Sequence, residues 1–116
     1  MVQTRKQKRA QVAYDCVSQL LKKSNNDYVQ LAKKFPALVH TCGLAQAVAF
    51  VQAKEKENGK SYLNHLTKVM GQDIDLGEKS RNAKLLEYQH FSREAIESAT
   101  WIKRYAEALL EKEEKD

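Results

Sequence analysis

One proline and four glycines in 116 residues leave little turn chemistry. A turn-dense all-β chain, a collagen-like chain or a linker needs far more of both. Only two cysteines are present, Cys16 and Cys42. Two are too few for a disulfide framework or a cysteine zinc site, and neither lies in a CxxC pair. Each is expected to be a small buried apolar residue in a reducing cytoplasm. The longest unbroken apolar run is five residues, Ala47–Val51, far short of a membrane span. No apolar core follows the basic N-terminal residues, so no secretory signal is expected. Gly-rich phosphate loops, GxSxG and SxxK are all missing.

Metal-binding patterns fail in the same way. His40, His65 and His90 are scattered, and none forms an HExxH pair. His90 and Glu94 share a helix face, but two ligands without a third read as a surface contact. Asp73–Gly77 is faintly similar to a calcium loop, yet Glu78 stands where Gly is needed and Lys84 where Glu is needed. An enzyme is therefore not expected, nor any cofactor or metal.

What the chain does have is charge and helical periodicity. Hydrophobic residues make up 42% and charged residues 30%, with a mean hydropathy of −0.66. This is the composition of a globular domain with a charge-rich surface. The net charge of +5 is unevenly placed. Residues 1–58 carry ten Lys/Arg against four acids, and residues 59–116 carry ten against eleven. A basic half attracts polyanions such as nucleic acid, or an acidic partner.

Apolar residues recur at spacings of three and four almost throughout. Ala10, Ala13, Tyr14, Val17, Leu20 and Leu21 mark one face of a first helix, expected from Thr4 to Lys23. Tyr28, Leu31, Ala32 and Phe35 mark a second, with Asn26 as its N-cap. Pro36 is expected to end it and begin a short helix closed by Gly43. The helix opening at Leu44 is apolar nearly all round and is expected at the centre of the molecule. Asn58–Gly59 is a turn signal, with Ser61 as the next cap. Gly71–Asn82 reads as a loop with at most one helical turn. The last helix, expected over Asn82–Glu113, carries Leu85, Tyr88, Ser92, Ala95, Ala99, Ile102, Ala106 and Leu109 in a near-heptad stripe. The fold expected is all-α: a compact single-domain bundle of five to six helices over residues 1–116, with a long C-terminal helix and residues 111–116 fraying. Tyr28, Tyr62, Tyr88, Trp101 and Tyr105 are read as core, although Trp101 and Tyr105 have the chemistry to stack bases.

The cations come in pairs: Arg5-Lys6, Lys8-Arg9, Lys22-Lys23, Lys33-Lys34 and Lys103-Arg104. Several such pairs along one surface can follow a phosphate backbone. A single pair more often covers the core edge with its stems while its heads stay in water.

Two blocks carry a family resemblance. Tyr28–Phe50 has a Lys-rich segment, a Pro, an apolar run, then Gly43-Leu44 followed by Ala49-Phe50. Arg93–Leu109 has the Glu94-Ala95 pair and then Trp101-Ile102-Lys103-Arg104-Tyr105-Ala106. In this order and in a chain this short, they resemble the small-subunit family of type III-B CRISPR effector (Cmr) complexes. Cys42 departs from the small polar residue such members show before the glycine, which bears on the local helix cap.

The resemblance implies a non-catalytic cytoplasmic subunit of an RNA-guided antiviral ribonucleoprotein, stacked in several copies. Its implied partners are other effector subunits, copies of itself, guide RNA and target RNA, with no membrane and no small-molecule substrate. Specificity would come from base pairing, so the protein needs only positive charge and shape. The residues expected at phosphates are Arg5, Lys6, Arg9, Lys22, Lys23, Lys33, Lys34, Lys103 and Arg104. The charge asymmetry suggests that Glu107, Glu111, Glu113 and Glu114 of one copy meet the basic half of the next. The competing reading is a helical protein–protein adaptor without RNA binding.

Overall fold

Thr4 starts the first helix with a reciprocal cap. Its hydroxyl accepts from the Gln7 N–H at 3.1 Å, and the Gln7 side chain accepts from the Thr4 N–H at 2.8 Å. The computed structural model describes residues 4–21, 26–54, 56–71, 76–82 and 84–110. Helix α1 runs Arg5–Ser18. It stops short of the expected Lys23, because the Ser18 hydroxyl donates to the Asp15 carbonyl and the backbone tightens into a turn. Its buried face is also rotated from the expected one. Arg9, Ala13, Cys16 and Val17 are inside, whereas Tyr14 and Leu21 are exposed.

Helix α2 runs Asn26–Cys42 without a break at Pro36. The missing N–H does cost a hydrogen bond, on the order of 3 kcal/mol with the ring clash. Phe35 on one side of it and Val39 on the other both bury their side chains on the same stripe, which offsets that cost. Gly43 then ends the helix at φ +87°, the left-handed conformation a glycine adopts freely.

Helix α3 spans Leu44–Lys54. Only one face of it is buried, through Leu44, Ala47, Val48 and Val51, while Ala49, Phe50 and Ala53 are exposed. The expected all-round burial does not occur, because α3 packs on α2, α4 and α5 from one side. Helix α4 begins at Lys56, runs to Met70 and absorbs Asn58–Gly59. Gly59 extends the buried stripe of Tyr62, Leu66, Val69 and Met70, so packing overrides the local turn preference. Helix α5, Leu76–Asn82, is longer than the single turn expected and is held by Leu76 and Ser80.

The centre of the molecule is α6, Leu85–Tyr105, which continues as a π-helical turn over Ala106–Leu110. Phe91, Ala95, Ser98, Ala99 and Ile102 form its inner stripe. The small residues in that stripe let α1, α2 and α4 approach it closely. Arg5 lies beside Glu94 and Tyr14 beside Tyr105, so α1 runs parallel to α6. Gly43, which ends α2, lies against Tyr88 near the start of α6, while α2 also packs on the π turn at the other end, so α2 runs antiparallel to α6. No strand occurs among the described residues, so the all-α expectation holds. The radius of gyration is 13.8 Å, close to the ~13 Å of a compact chain of this length.

Candidate nucleic-acid interface

The α1–α6 seam holds a cluster of ion pairs. Arg9 reaches across it and donates to the carboxylates of both Glu94 and Glu97. Its side chain is only 5% exposed. Arg5 donates to the same Glu94 at 2.8 Å but stays 68% exposed. The structure thus separates two residues that sequence reasoning grouped. Arg9 is turned inward and neutralised within the fold, so its charge is not available to an external phosphate. Arg5 is half committed. Glu94 is taken up by these arginines rather than by a contact with His90.

The remaining expected cations that the structure describes stand on α1, α2 and α6. Lys6 and Arg104 are exposed, on α1 and α6, and Lys103 is half-buried. None of these three has a carboxylate partner among the described residues. Lys34 points along α2 toward α3, with its ammonium 5.2 Å from the centre of the Phe50 ring, while Lys33 is half-buried. Lys22, Lys23, Glu111, Glu113 and Glu114 lie outside the described residues. Of the acidic set, Glu107 is described and is half-buried on the π turn.

Aromatic side chains line the same seam. Tyr14 meets Tyr105 edge-on at 5.5 Å, and Tyr105 stacks on Trp101 at 6.0 Å. Trp101 and Tyr105 pack partly against the core, as expected, while Tyr14 is exposed. Beside them Gln7, Ala10 and Gln11 complete a groove of ≈ 380 Å³.

A second groove was not legible from paired cations. It lies where the end of α2 and the start of α3 meet α6, and His40 and Arg93 stand on its rim. Both are single basic residues in the sequence, so a search for basic pairs passes over them.

The buried titratable groups are structural. Tyr28 and Tyr62 meet edge-on at 5.7 Å deep in the core, and burial raises the pKa of both hydroxyls. Burial also raises the Cys16 thiol, whereas Cys42 is exposed rather than buried as expected. Among the described residues no three His, Cys, Asp or Glu side chains are placed to hold a metal. No helix among them is long and apolar enough to cross a membrane.

Residues 5–109 match the model of the CRISPR-associated protein family Cas_Cmr5. The chain is 42% identical over 113 residues to the CRISPR system Cmr subunit Cmr5 of Thermus thermophilus. That match covers 95% of this chain and 99% of the relative. The crystal structure of a Cmr5 family protein from the same organism superposes with a TM-score of 0.86 at 41% identity, over 94% of this chain and 99% of that one. With the family model spanning nearly its whole length, this chain belongs to the Cmr5 family of CRISPR-associated proteins.

Proposed function

We propose that the chain is a non-catalytic subunit of a type III-B Cmr effector complex that contacts the RNA backbone through surface cations and protein neighbours through its ends. The observation that carries this reading is the near full-length match to a relative whose name states a Cmr subunit. The surface chemistry supports the RNA part. The net charge is +5, and Lys6, Lys103 and Arg104 are not neutralised by carboxylates among the described residues. Arg5 contributes in part and Arg9 belongs to the fold. Lys22, Lys23, Lys33 and Lys34 complete the proposed set. Contact of this kind needs no reactive group, since the guide supplies sequence and the protein supplies potential.

Contacts with neighbours are supported by Leu85 and Leu86, which are 70% and 80% exposed at the start of α6. Two adjacent leucines in water suit a protein partner better than solvent. Acidic Glu107, with Glu111, Glu113 and Glu114 beyond it, would face the basic half of the next copy in a head-to-tail stack.

Filter binding of single- and double-stranded RNA over a salt series tests this reading. Binding that weakens steeply with salt supports RNA contact. Salt-independent or undetectable binding at low salt, with co-purification of effector subunits intact, favours the adaptor reading instead.

A further inference from the structure

The groove at the α2–α3 corner measures ≈ 410 Å³ and is walled by α6. Its rim holds His40 on α2 and Arg93 on α6, both exposed. Neither has a carboxylate partner among the described residues, and no Asp or Glu lines the groove. Gln89 adds a side-chain amide that both donates and accepts, and the other polar side chains of the lining are the Tyr88 and Ser92 hydroxyls. The Tyr88 hydroxyl accepts from the Ala45 N–H at 3.1 Å. The hydroxyl's own proton has no acceptor among the described residues.

Ser92 gives the second, independent sign. Its hydroxyl oxygen is buried without a hydrogen-bond partner, although the residue lines the groove. Thr67 and Thr100, elsewhere on helices, donate back to the carbonyls four residues earlier at 2.7 and 2.8 Å. Ser92 forgoes that bond. A hydroxyl withdrawn from solvent costs about 1–3 kcal/mol when left unpaired, so turning it outward to a partner in the groove would be stabilising. Two further unpartnered hydroxyls, Tyr62 and Ser98, are deep in the core and do not line this groove.

Backbone polarity agrees. Gly43 and Leu44 line the groove, so α3 begins there. The first N–H groups of a helix have no intrahelical acceptor and carry the positive end of its dipole. Of these, the Ala45 N–H is taken up by Tyr88. A groove with a guanidinium, an imidazole, an amide, two hydroxyls and a helix start, but no carboxylate, selects an anion with several acceptor oxygens.

We infer that this groove binds a phosphate group, with Arg93 as its principal cation and with the α3 N-terminus, Tyr88 and an outward-turned Ser92 hydroxyl as hydrogen-bond donors. The inference rests on the RNA-contact reading only for the source of the phosphate, which is either an RNA strand or a free phosphate compound.

The test is an amide and arginine side-chain NMR titration of the full chain with sodium phosphate, against sodium chloride at matched ionic strength. Saturable shifts at Leu44, Ala45, Gln46 and the Arg93 Nε–H are expected with phosphate. Arg93→Gln should weaken them about tenfold, while Lys54→Gln should leave them unchanged, and the spectra report folding of each variant. Non-saturating shifts shared with chloride, or saturation unaffected by Arg93→Gln, would overturn the site. A second arm adds single-stranded RNA. RNA that moves the same amides and competes with phosphate identifies the strand as the source. Phosphate that saturates while RNA leaves these amides unmoved upholds the site and assigns it to a free phosphate compound. RNA that binds without moving these amides, together with no phosphate saturation, overturns the site while RNA contact stands.

Discussion

Arg9 on α1 donates to Glu94 on α6, the same carboxylate that accepts from Arg5 one helical turn away. The two arginines differ in burial, and that decides what each contributes. Removing Arg9 leaves Glu94, 15% exposed, without its inner partner. Breaking a well-buried pair costs about 3–5 kcal/mol, and the partial exposure of Glu97 lowers this. Arg9→Met should therefore destabilise by about 2 kcal/mol in urea unfolding, taking a hydrogen bond to a charged group as the guide. Arg5→Met should cost less than about 0.5 kcal/mol, the range of exposed pairs. Equal losses for both would show that Arg9 is not the inner partner.

The Tyr28 hydroxyl lies 2.7 Å from Nδ1 of His65. Burial keeps Tyr28 protonated, so it donates and the imidazole nitrogen accepts. Burial first, and the charge of Lys68 second, lower the His65 pKa below its ordinary 6.5. The unfolded chain thus binds a proton near pH 6.5 that the folded chain refuses until lower pH. Stability from this contact is full above that value and falls as pH drops below it, until the folded imidazole also titrates. Unfolding curves of wild type and His65→Gln at pH 7.5 and 5.5 should converge toward acid. Parallel loss in both proteins would be evidence against it.

These two pairs show what the sequence discloses and what it hides. The helices are legible because burial imposes a three-four spacing that any reader can see, as in Ala95, Ala99 and Ile102. Local stop signals mislead where packing outweighs them. Pro36 sits inside α2 because Phe35 and Val39 anchor both sides, and Gly59 sits inside α4 because it continues the buried stripe. Arg9 misleads for a related reason. It stands four residues before buried Ala13 on the inner face, but a cation is expected in water. Only the arrival of Glu94 and Glu97 from a helix 85 residues away makes its burial tolerable. The His40–Arg93 groove is hidden more deeply, since its cations come from two helices and neither forms a pair in sequence.

Gly43 and Gly71 both adopt left-handed backbone, at φ +87° and +77°. An alanine at either position meets the same intrinsic penalty, about 1–2 kcal/mol. Their surroundings differ. A Cβ at Gly43 would lie 3.3 Å from the Tyr88 hydroxyl, and at Gly71 it would meet nothing within 4 Å. Gly43→Ala should therefore cost more than Gly71→Ala, because it also displaces the hydroxyl that caps Ala45. The excess should shrink in a Tyr88→Phe background, a coupling that a double-mutant cycle measures directly. An unchanged excess would place the strain elsewhere.

Lys103 and Arg104 offer the sharpest test of RNA contact, since both lack carboxylate partners among the described residues and follow each other on α6. Each phosphate neutralised on a single strand adds about 0.7 to the slope of log affinity against log salt. Lys103→Gln with Arg104→Gln should thus flatten that slope by about 1.4 if both groups meet phosphates. Lys54→Gln with Lys60→Gln removes the same net charge from exposed positions on α3 and α4. A purely global attraction would respond equally to both double variants, because it depends on total charge. A local contact responds to the α6 pair far more strongly, and the difference between the two slopes counts the phosphates held there.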